Sequence, residues 1–394
     1  MKILWLKTDF LHPTVRGGQI RTLEMLKQLH RRHEVHYIGF DDGASAESLP
    51  RAAEYSTRAY PVPHVAPRIG SPKFWTQVAG NLFSPLPLGL ARYQNAGFKR
   101  TVEEVRRRES PDVLVCDFLQ PAINVDDLAP WFLFQHNVET MICRRHAEHG
   151  STLERIYFRS QAERMFQVEA RVCRAVRTVV TVSENDAQTH KDLFGLTHVP
   201  SVPTGVDVES LTPSRPRSSE TDLIFIGTLE WMANVDGVEY FLDEILPLIR
   251  RRRPECSVTI VGRRPPASLL RRAAGDSKVR ITGLVEDVRP YLWSAAVSIV
   301  PIRIGGGTRL KIYESMAART PVVSTSIGAE GLEINPPENI RLGDTPAAFA
   351  DACLDLLADD AERARMAQAA WDLVASNYSW KRVTLDFERI LCSG

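Results

Sequence analysis

The chain predicts an α/β protein made of two doubly wound parallel-sheet domains that face each other across a cleft. Three observations carry this. First, an apolar strand at residues 296–300 passes through Gly305, Gly306 and Gly307 into a helix over 309–318. It leaves through Pro321 into a second apolar strand, Val322 and Val323. Strand, glycine turn, helix, strand is the βαβ unit of such a sheet. Second, strand-like and helix-like segments alternate in two series, separated by a turn at 203–207 and a polar Ser/Pro/Arg segment reaching Thr221. That break is the predicted domain boundary. Third, 394 residues suit two domains of ordinary size.

In the first series residues 3–6 form a strand, and Gly17 and Gly18 open a helix with Ile20, Leu23, Leu26 and Leu29 on one face. Residues 35–40 are the next strand. Residues 61–95, rich in Pro, Gly and aromatics, read as a long irregular excursion. A helix at 102–108, strands at 112–116 and 131–135, and a long helix at 151–177 follow. The strand at 178–182 ends in a helix start, Ser183-Glu184. The second series has strands at 223–226, 257–261, 279–281 and 297–300, with helices at 236–252, 266–273 and 287–294 between them. Helices near 347–357 and 360–376 and a final helical segment follow. The expected domains are 1–205 and 206–377, with a C-terminal helix of about 378–394 packing back onto the first.

Composition narrows the function classes. An apolar fraction of 44% and a charged fraction of 25% are those of a soluble globular protein. A net charge of +1 gives no case for nucleic-acid binding. Residues 1–205 carry 26 Lys+Arg against 22 Asp+Glu, a mildly basic half that suits an anionic acceptor or a membrane surface. The six cysteines form no C-x-x-C pair, so they read as reduced thiols of a cytoplasmic protein without a zinc site. The N-terminal strand runs directly into Lys7 and Asp9 and does not read as a signal peptide. No apolar run approaches the roughly 20 residues of a membrane span.

The chemistry concentrates at the glycine triplet. Arg309 and Lys311 fall in the first turn of the helix, where the macrodipole disfavours a cation by roughly 0.3–1 kcal/mol. A bound anion reverses that sign. Free N–H groups, close backbone approach at Gly305–Gly307, the Thr308 hydroxyl and two cations together make a phosphate cradle. Glu314, three residues after Lys311, is placed to accept hydrogen bonds from ribose hydroxyls. In the first half, Gly17 and Gly18 follow a strand and precede a helix, which brings backbone amides to a donor phosphate or an acceptor; the competing reading is an ordinary tight turn. His136 ends a strand, as an active-site imidazole or a structural histidine would. Asp117 also ends a strand, as an acceptor ligand or a turn cap. Arg144, Arg145 and the basic-aromatic helix at 151–177 either face an acidic or lipid-linked acceptor or form a solvated surface.

These motifs resemble the donor site of the GT-B glycosyltransferases, specifically the retaining enzymes of glycosyltransferase family 4. The family pattern of a glycine-rich loop, Lys, Glu-Ala-Met-Ala and Pro-Val-Val is matched by Lys311, Glu314-Ser315-Met316-Ala317 and Pro321-Val322-Val323. The resemblance implies that Glu314 holds the ribose and that Arg309, Lys311 and nearby amides hold the diphosphate. An earlier family glutamate that contacts the donor sugar is replaced here by Gly306. The 202–207 segment resembles the interdomain signature, with Thr204 for the usual Asn. Phe225-Ile226-Gly227 resembles the strand opening the donor domain. The loop after it lacks the family's Arg and Lys and instead resembles a subgroup with Trp231 and Asn234, found among bacterial exopolysaccharide transferases. Residues 281–287 resemble the base-binding strand and turn, which implies that backbone groups at Leu284 and Val285 hold the nucleobase. The resemblance also implies that His136 contacts the donor sugar.

The expected activity is therefore metal-independent, retaining transfer of a sugar from a nucleotide-diphosphate sugar to a hydroxyl acceptor, in polysaccharide or glycoconjugate synthesis. No cofactor is expected beyond that co-substrate. The acceptor is a sugar, a lipid-linked compound or a small molecule, and peripheral contact with the inner membrane face is left open. Two rivals share these features: a non-hydrolysing nucleotide-sugar epimerase and a non-catalytic nucleotide-sugar sensor.

Overall fold

The computed structural model describes residues 1–14, 17–43, 45–68, 70–148, 152–214, 220–304 and 310–393. It divides into two compact units, Met1–Thr204 with Val383–Gly394, and Gly205–Arg382. Each holds one six-stranded parallel sheet with its own apolar core.

The first sheet comprises β1 (Lys2–Leu6), β2 (Glu34–Asp41), β3 (Arg58–Pro63), β4 (Val113–Asp117), β5 (Trp131–Phe134) and β6 (Thr178–Val180), in the order β3-β2-β1-β4-β5-β6. The second comprises β7 (Thr221–Ile226), β8 (Val258–Val261), β9 (Val279–Ile281), β10 (Ala295–Val300), β11 (Val322–Ser324) and β12 (Arg341–Leu342), in the order β12-β11-β10-β7-β8-β9. Numbered within its own unit, each sheet runs 3-2-1-4-5-6, the doubly wound order. The switch points fall between β1 and β4 and between β7 and β10, and ligands bind such sheets at the carboxyl ends of those strands. Central strands are covered on both faces, so β4, β5, β8 and β10 are buried along their whole length and read as unbroken apolar runs.

The structure departs from expectation at residues 61–95. That stretch is not irregular throughout: it begins in β3 and includes the helix Pro72–Asn81 and a short turn at Leu88–Ala91. Pro61 and Pro63 hid the strand, because proline cannot donate to a ladder. β3 pairs only with β2, and an edge strand tolerates the missing donors. The two-residue edge strand β12 also lacked a sequence signal.

The C-terminal helix, Trp380–Ser393, begins in the second unit and ends in the first. Trp380 lies against Gly205, where an added Cβ would come within 2.5 Å of the indole. Further along, Phe387 packs on Trp5 and Phe134 at ring-centroid distances of 5.8 and 4.9 Å, and Glu388 meets His33 at 2.7 Å.

Candidate functional site

In the second unit the strand end of β7 and the helix Leu310–Ala317 bring three of the sequence-selected residues together. Lys311 Nζ donates to Asn234 Oδ1 at 2.7 Å and stands 4.5 Å from the Phe225 ring centroid. Asn234 Nδ2 in turn donates to the Thr228 carbonyl at 2.8 Å, which fixes the amide. Gly227 makes the space: a Cβ there would lie 2.7 Å from Lys311 Nζ and 2.9 Å from Asn234 Nδ2. The ammonium is thus held over the carboxyl end of β7, at the switch point. Glu314, one turn further, is partly buried, and its carboxylate makes no hydrogen bond to a described residue. Burial raises its pKa, and Lys311 opposes that rise. A desolvated carboxylate suits neutral hydroxyl donors. Leu284 is exposed and Val285 half-buried, on the loop after β9 where Gly283 takes φ +73°. Gly305, Gly306, Gly307, Thr308 and Arg309 lie outside the described residues.

The first unit builds a second cluster on β1, β4 and β5. Asp117, fully buried, accepts from Trp5 Nε1 at 3.0 Å, Lys7 Nζ at 3.0 Å and Thr22 Oγ1 at 2.6 Å through one oxygen. Its other oxygen faces His136 Nε2 at 2.9 Å. Burial alone would raise the carboxyl pKa; Lys7 and His136 outweigh it and hold Asp117 ionised. The sequence reads Asp117 as an acceptor ligand or a turn cap; in the structure its carboxylate is fully buried and faces His136, whose ring it orients.

Burial lowers the pKa of His136 to about 4, despite Asp117, so its imidazole is neutral near pH 7. With Nε2 facing the carboxylate, Nδ1 is left buried and without a hydrogen-bond partner among the described residues. It lies on the Gly18 side, 3.5 Å from where a Cβ on that residue would sit. Phe118 closes the same space, its ring 4.1 Å from the imidazole by centroids and 3.0 Å from that Cβ position. Phe118 takes φ +75°, a conformation costing on the order of 1–3 kcal/mol, as backbone at functional sites often does. Gly17 has open space around it, at the first turn of Gly17–His30.

Sequence reading missed Lys7, Thr22, Arg21 and Glu139. Arg21 lies one turn into the Gly17 helix, and burial lowers its pKa to about 10 against the pull of Asp117 and Asp186. Its Nε has no partner among the described residues. The available signal was the one that marked Arg309 and Lys311, a cation close to a glycine-opened helix N-terminus. Glu139, three residues after His136, is pushed up to about 7 by burial and then by neighbouring Glu169.

A cavity of about 570 Å³ lies at the carboxyl ends of β1, β2 and β3, a size usual for ligand sites. Asp9, Gln19, Asp41, His64, Arg92 and Tyr93 are among its lining. Arg144 and Arg145 are not; Arg144 instead lies 5.6 Å from the Phe166 ring centroid, on an exposed helix face. Among the described residues one His/Glu group could hold a metal: Glu34, His36 and Glu109, at the opposite end of β2 from this cavity. No helix among the described residues is long and apolar enough to cross a membrane.

Two family models match, glycosyltransferase family 4 over residues 15–210 and group 1 glycosyl transferases over residues 220–359. The chain belongs to the group 1, family 4 glycosyltransferases. An uncharacterised 44.6 kDa protein of the Klebsiella pneumoniae cps region is 24% identical over 169 residues, 41% of this chain and 44% of that one. Glycogen synthase of Mycobacterium tuberculosis is 27% identical over 229 residues, 55% of this chain and 54% of that enzyme. The matches thus span about half the length of these relatives. The structure of Anabaena HepE in complex with UDP superposes with a TM-score of 0.66 at 14% identity, covering 100% of both chains. The glycosyltransferase therefore has the GT-B fold, in two parallel six-stranded α/β sheets.

Proposed function

We propose that this glycosyltransferase transfers a sugar, with retention and without a metal, from a nucleotide-diphosphate sugar to a hydroxyl acceptor. Residues 206–377 would bind the donor and residues 1–205 the acceptor. The observation that carries the reading is the partly buried Glu314 carboxylate, without a hydrogen bond among the described residues, one turn from Lys311, whose ammonium is fixed at the end of β7 by Asn234. Glu314 would accept the ribose hydroxyls. Lys311, with Arg309 and the helix N-terminus, would bind the diphosphate and stabilise the charge it gathers as the glycosidic bond breaks. Leu284 and Val285 would present backbone groups to the base.

In the first unit Gly17, Gly18 and Arg21 would meet donor phosphate or sugar, and the His136 Nδ1 lone pair would accept a hydrogen bond from a hydroxyl of the donor sugar. Its neutral imidazole suits that task. The cavity at the ends of β1, β2 and β3 would receive the acceptor, with carboxylates at Asp9 and Asp41 to take its hydroxyls. In a front-face transfer the departing phosphate accepts the acceptor's proton, so no protein general base is assigned. The Klebsiella cps-region relative makes polysaccharide synthesis the setting proposed.

A thermal-shift panel of UDP, GDP, ADP and dTDP tests donor binding. UDP is the first candidate, because HepE is seen in complex with it. Saturation at 100 times Kd stabilises by about 2.7 kcal/mol. No shift with any of the four would remove the donor assignment.

A further inference from the structure

The helix Pro72–Asn81 turns its apolar side outward. Trp75, Ala79 and Leu82 recur at helical spacing and all are exposed, Trp75 at 60% and Leu82 at 52%. Phe83 follows at 94% exposure. Exposed single apolar residues are ordinary, but a contiguous stripe of large ones marks a contact surface. The turn is also held rigidly. Arg164, on the helix Thr152–Ala175, donates to the carbonyls of Asn81, Leu82 and Ser84 at 2.7, 3.2 and 2.9 Å. Gln161 meets Asn81 at 3.2 Å and the Leu88 amide at 2.7 Å.

Charge indicates what covers the stripe. Residues 55–102 contain six Lys or Arg and not one Asp or Glu. Lys99 is paired with Asp126 and Arg58 lies 3.9 Å from Glu109, but Lys73 is exposed on the same helix; Arg68, also exposed, precedes that helix and lines the cavity with Asp41 and Asp42. On the Thr152–Ala175 helix, Ile156 is 60% exposed and Arg159 is exposed. An aromatic and aliphatic ridge flanked by cations, with no carboxylate on its own segment, complements a bilayer bearing anionic headgroups. Trp at the edge of such a ridge suits the headgroup region.

We propose that the Pro72–Asn81 helix, with Leu82 and Phe83, docks the enzyme on an anionic lipid surface. The stripe adjoins the proposed acceptor cavity. Arg92 lines that cavity and also a hollow of about 200 Å³ beside Gln77, Asn81 and Ser84. A lipid-linked acceptor held in the membrane would thus reach the cavity from the docked face; that part rests on the acceptor reading above, and the docking does not.

The test is co-sedimentation of the full chain with vesicles of phosphatidylethanolamine and phosphatidylglycerol, and with phosphatidylcholine alone. The parent is expected to sediment with the anionic vesicles, less so at high salt, and weakly with the neutral ones. Trp75→Ser with Phe83→Ser should lower partitioning by about 10-fold or more. Lys73→Ala should lower it about fivefold, on anionic vesicles only. Both variants replace exposed side chains and should keep the parental thermal midpoint and nucleotide response, so loss of docking is distinguishable from failure of the donor reading. A parent that stays in the supernatant with anionic vesicles, or variants that sediment like the parent, would overturn the proposal. So would a dimer in light scattering that the Trp75/Phe83 variant dissolves, since the face would then belong to a second copy.

Discussion

Glu314 and His136 are the side chains on which the chemistry can be tested singly. Replacing Glu314 by Ala removes a carboxylate that forms no hydrogen bond to a described residue, so the fold should persist while nucleotide affinity falls by about 10- to 100-fold, the worth of hydrogen bonds to a charged group. Unchanged affinity in calorimetry would take Glu314 out of the site. His136 and Glu139 make opposite demands on pH. The folded-state pKa of His136 is depressed to about 4, below the ordinary 6.5. Its contribution is complete above about 6.5 and is lost as pH falls toward 4, because the unfolded chain takes the proton first. Glu139 is raised to about 7, so its contribution is complete below the ordinary carboxyl pKa and is lost as pH rises toward 7. Each is worth roughly 3 kcal/mol at 1.36 kcal/mol per pKa unit. Over the acid range where both act they offset each other. Denaturant titrations at pH 7 and pH 5 should show His136→Gln gaining stability on acidification and Glu139→Gln losing it, relative to the parent. Parallel changes in both variants would contradict these assignments.

At the scale of elements, the C-terminal helix is the clearest structural dependency. Phe387 fills the space between Trp5 and Phe134, and its loss leaves a cavity beside β1 and β5, whose carboxyl ends lead into Lys7 and His136. Phe387→Ala should destabilise the first unit by about 3–5 kcal/mol, measurable as a lowered denaturation midpoint; a cost under 1 kcal/mol would mean the helix is dispensable there. This element also shows what sequence could and could not disclose. The tail's helical character was legible from its pattern, and so were most strands, because central parallel strands are continuous apolar runs. The resemblance pointed to Gly227, Asn234 and Lys311 one by one, but the hydrogen bond between Lys311 and Asn234 could be seen only in the structure. β3 was not legible, since Pro61 and Pro63 look like breakers unless the strand is known to lie at an edge. The role of Asp117 was hidden for a different reason. Trp5 and Lys7 belong to β1 and its carboxyl end, Thr22 to the Gly17–His30 helix and His136 to the loop after β5, and only the sheet order brings them to one carboxylate. The outward-facing stripe of Pro72–Asn81 was lost inside the stretch read as irregular.

For the whole molecule, the decisive question is what neutralises the donor's diphosphate. Two sheets of the same strand order each present cations near the carboxyl end of their first strand, Arg21 in one unit and Lys311 in the other. Both stand close to a helix N-terminus, where the macrodipole adds positive potential. Protein groups of this kind can supply the electrostatic stabilisation that a divalent ion provides elsewhere. The Glu34, His36 and Glu109 group does not compete for that role, because it sits at the amino end of β2, opposite the strand ends where ligands bind. Turnover of the nucleotide sugar should therefore continue in excess EDTA at close to the untreated rate. Lys311→Ala should by contrast slow transfer by about 10²–10³, the usual cost of one preorganised donor to a developing anion. Affinity for the free nucleoside should hardly change, since a nucleoside carries no phosphate for the ammonium to meet. The paired measurement separates the alternatives. If EDTA abolishes turnover and Mg²⁺ or Mn²⁺ restores it, while Lys311→Ala transfers at the parental rate, the diphosphate is neutralised by metal and the cation-based mechanism is wrong.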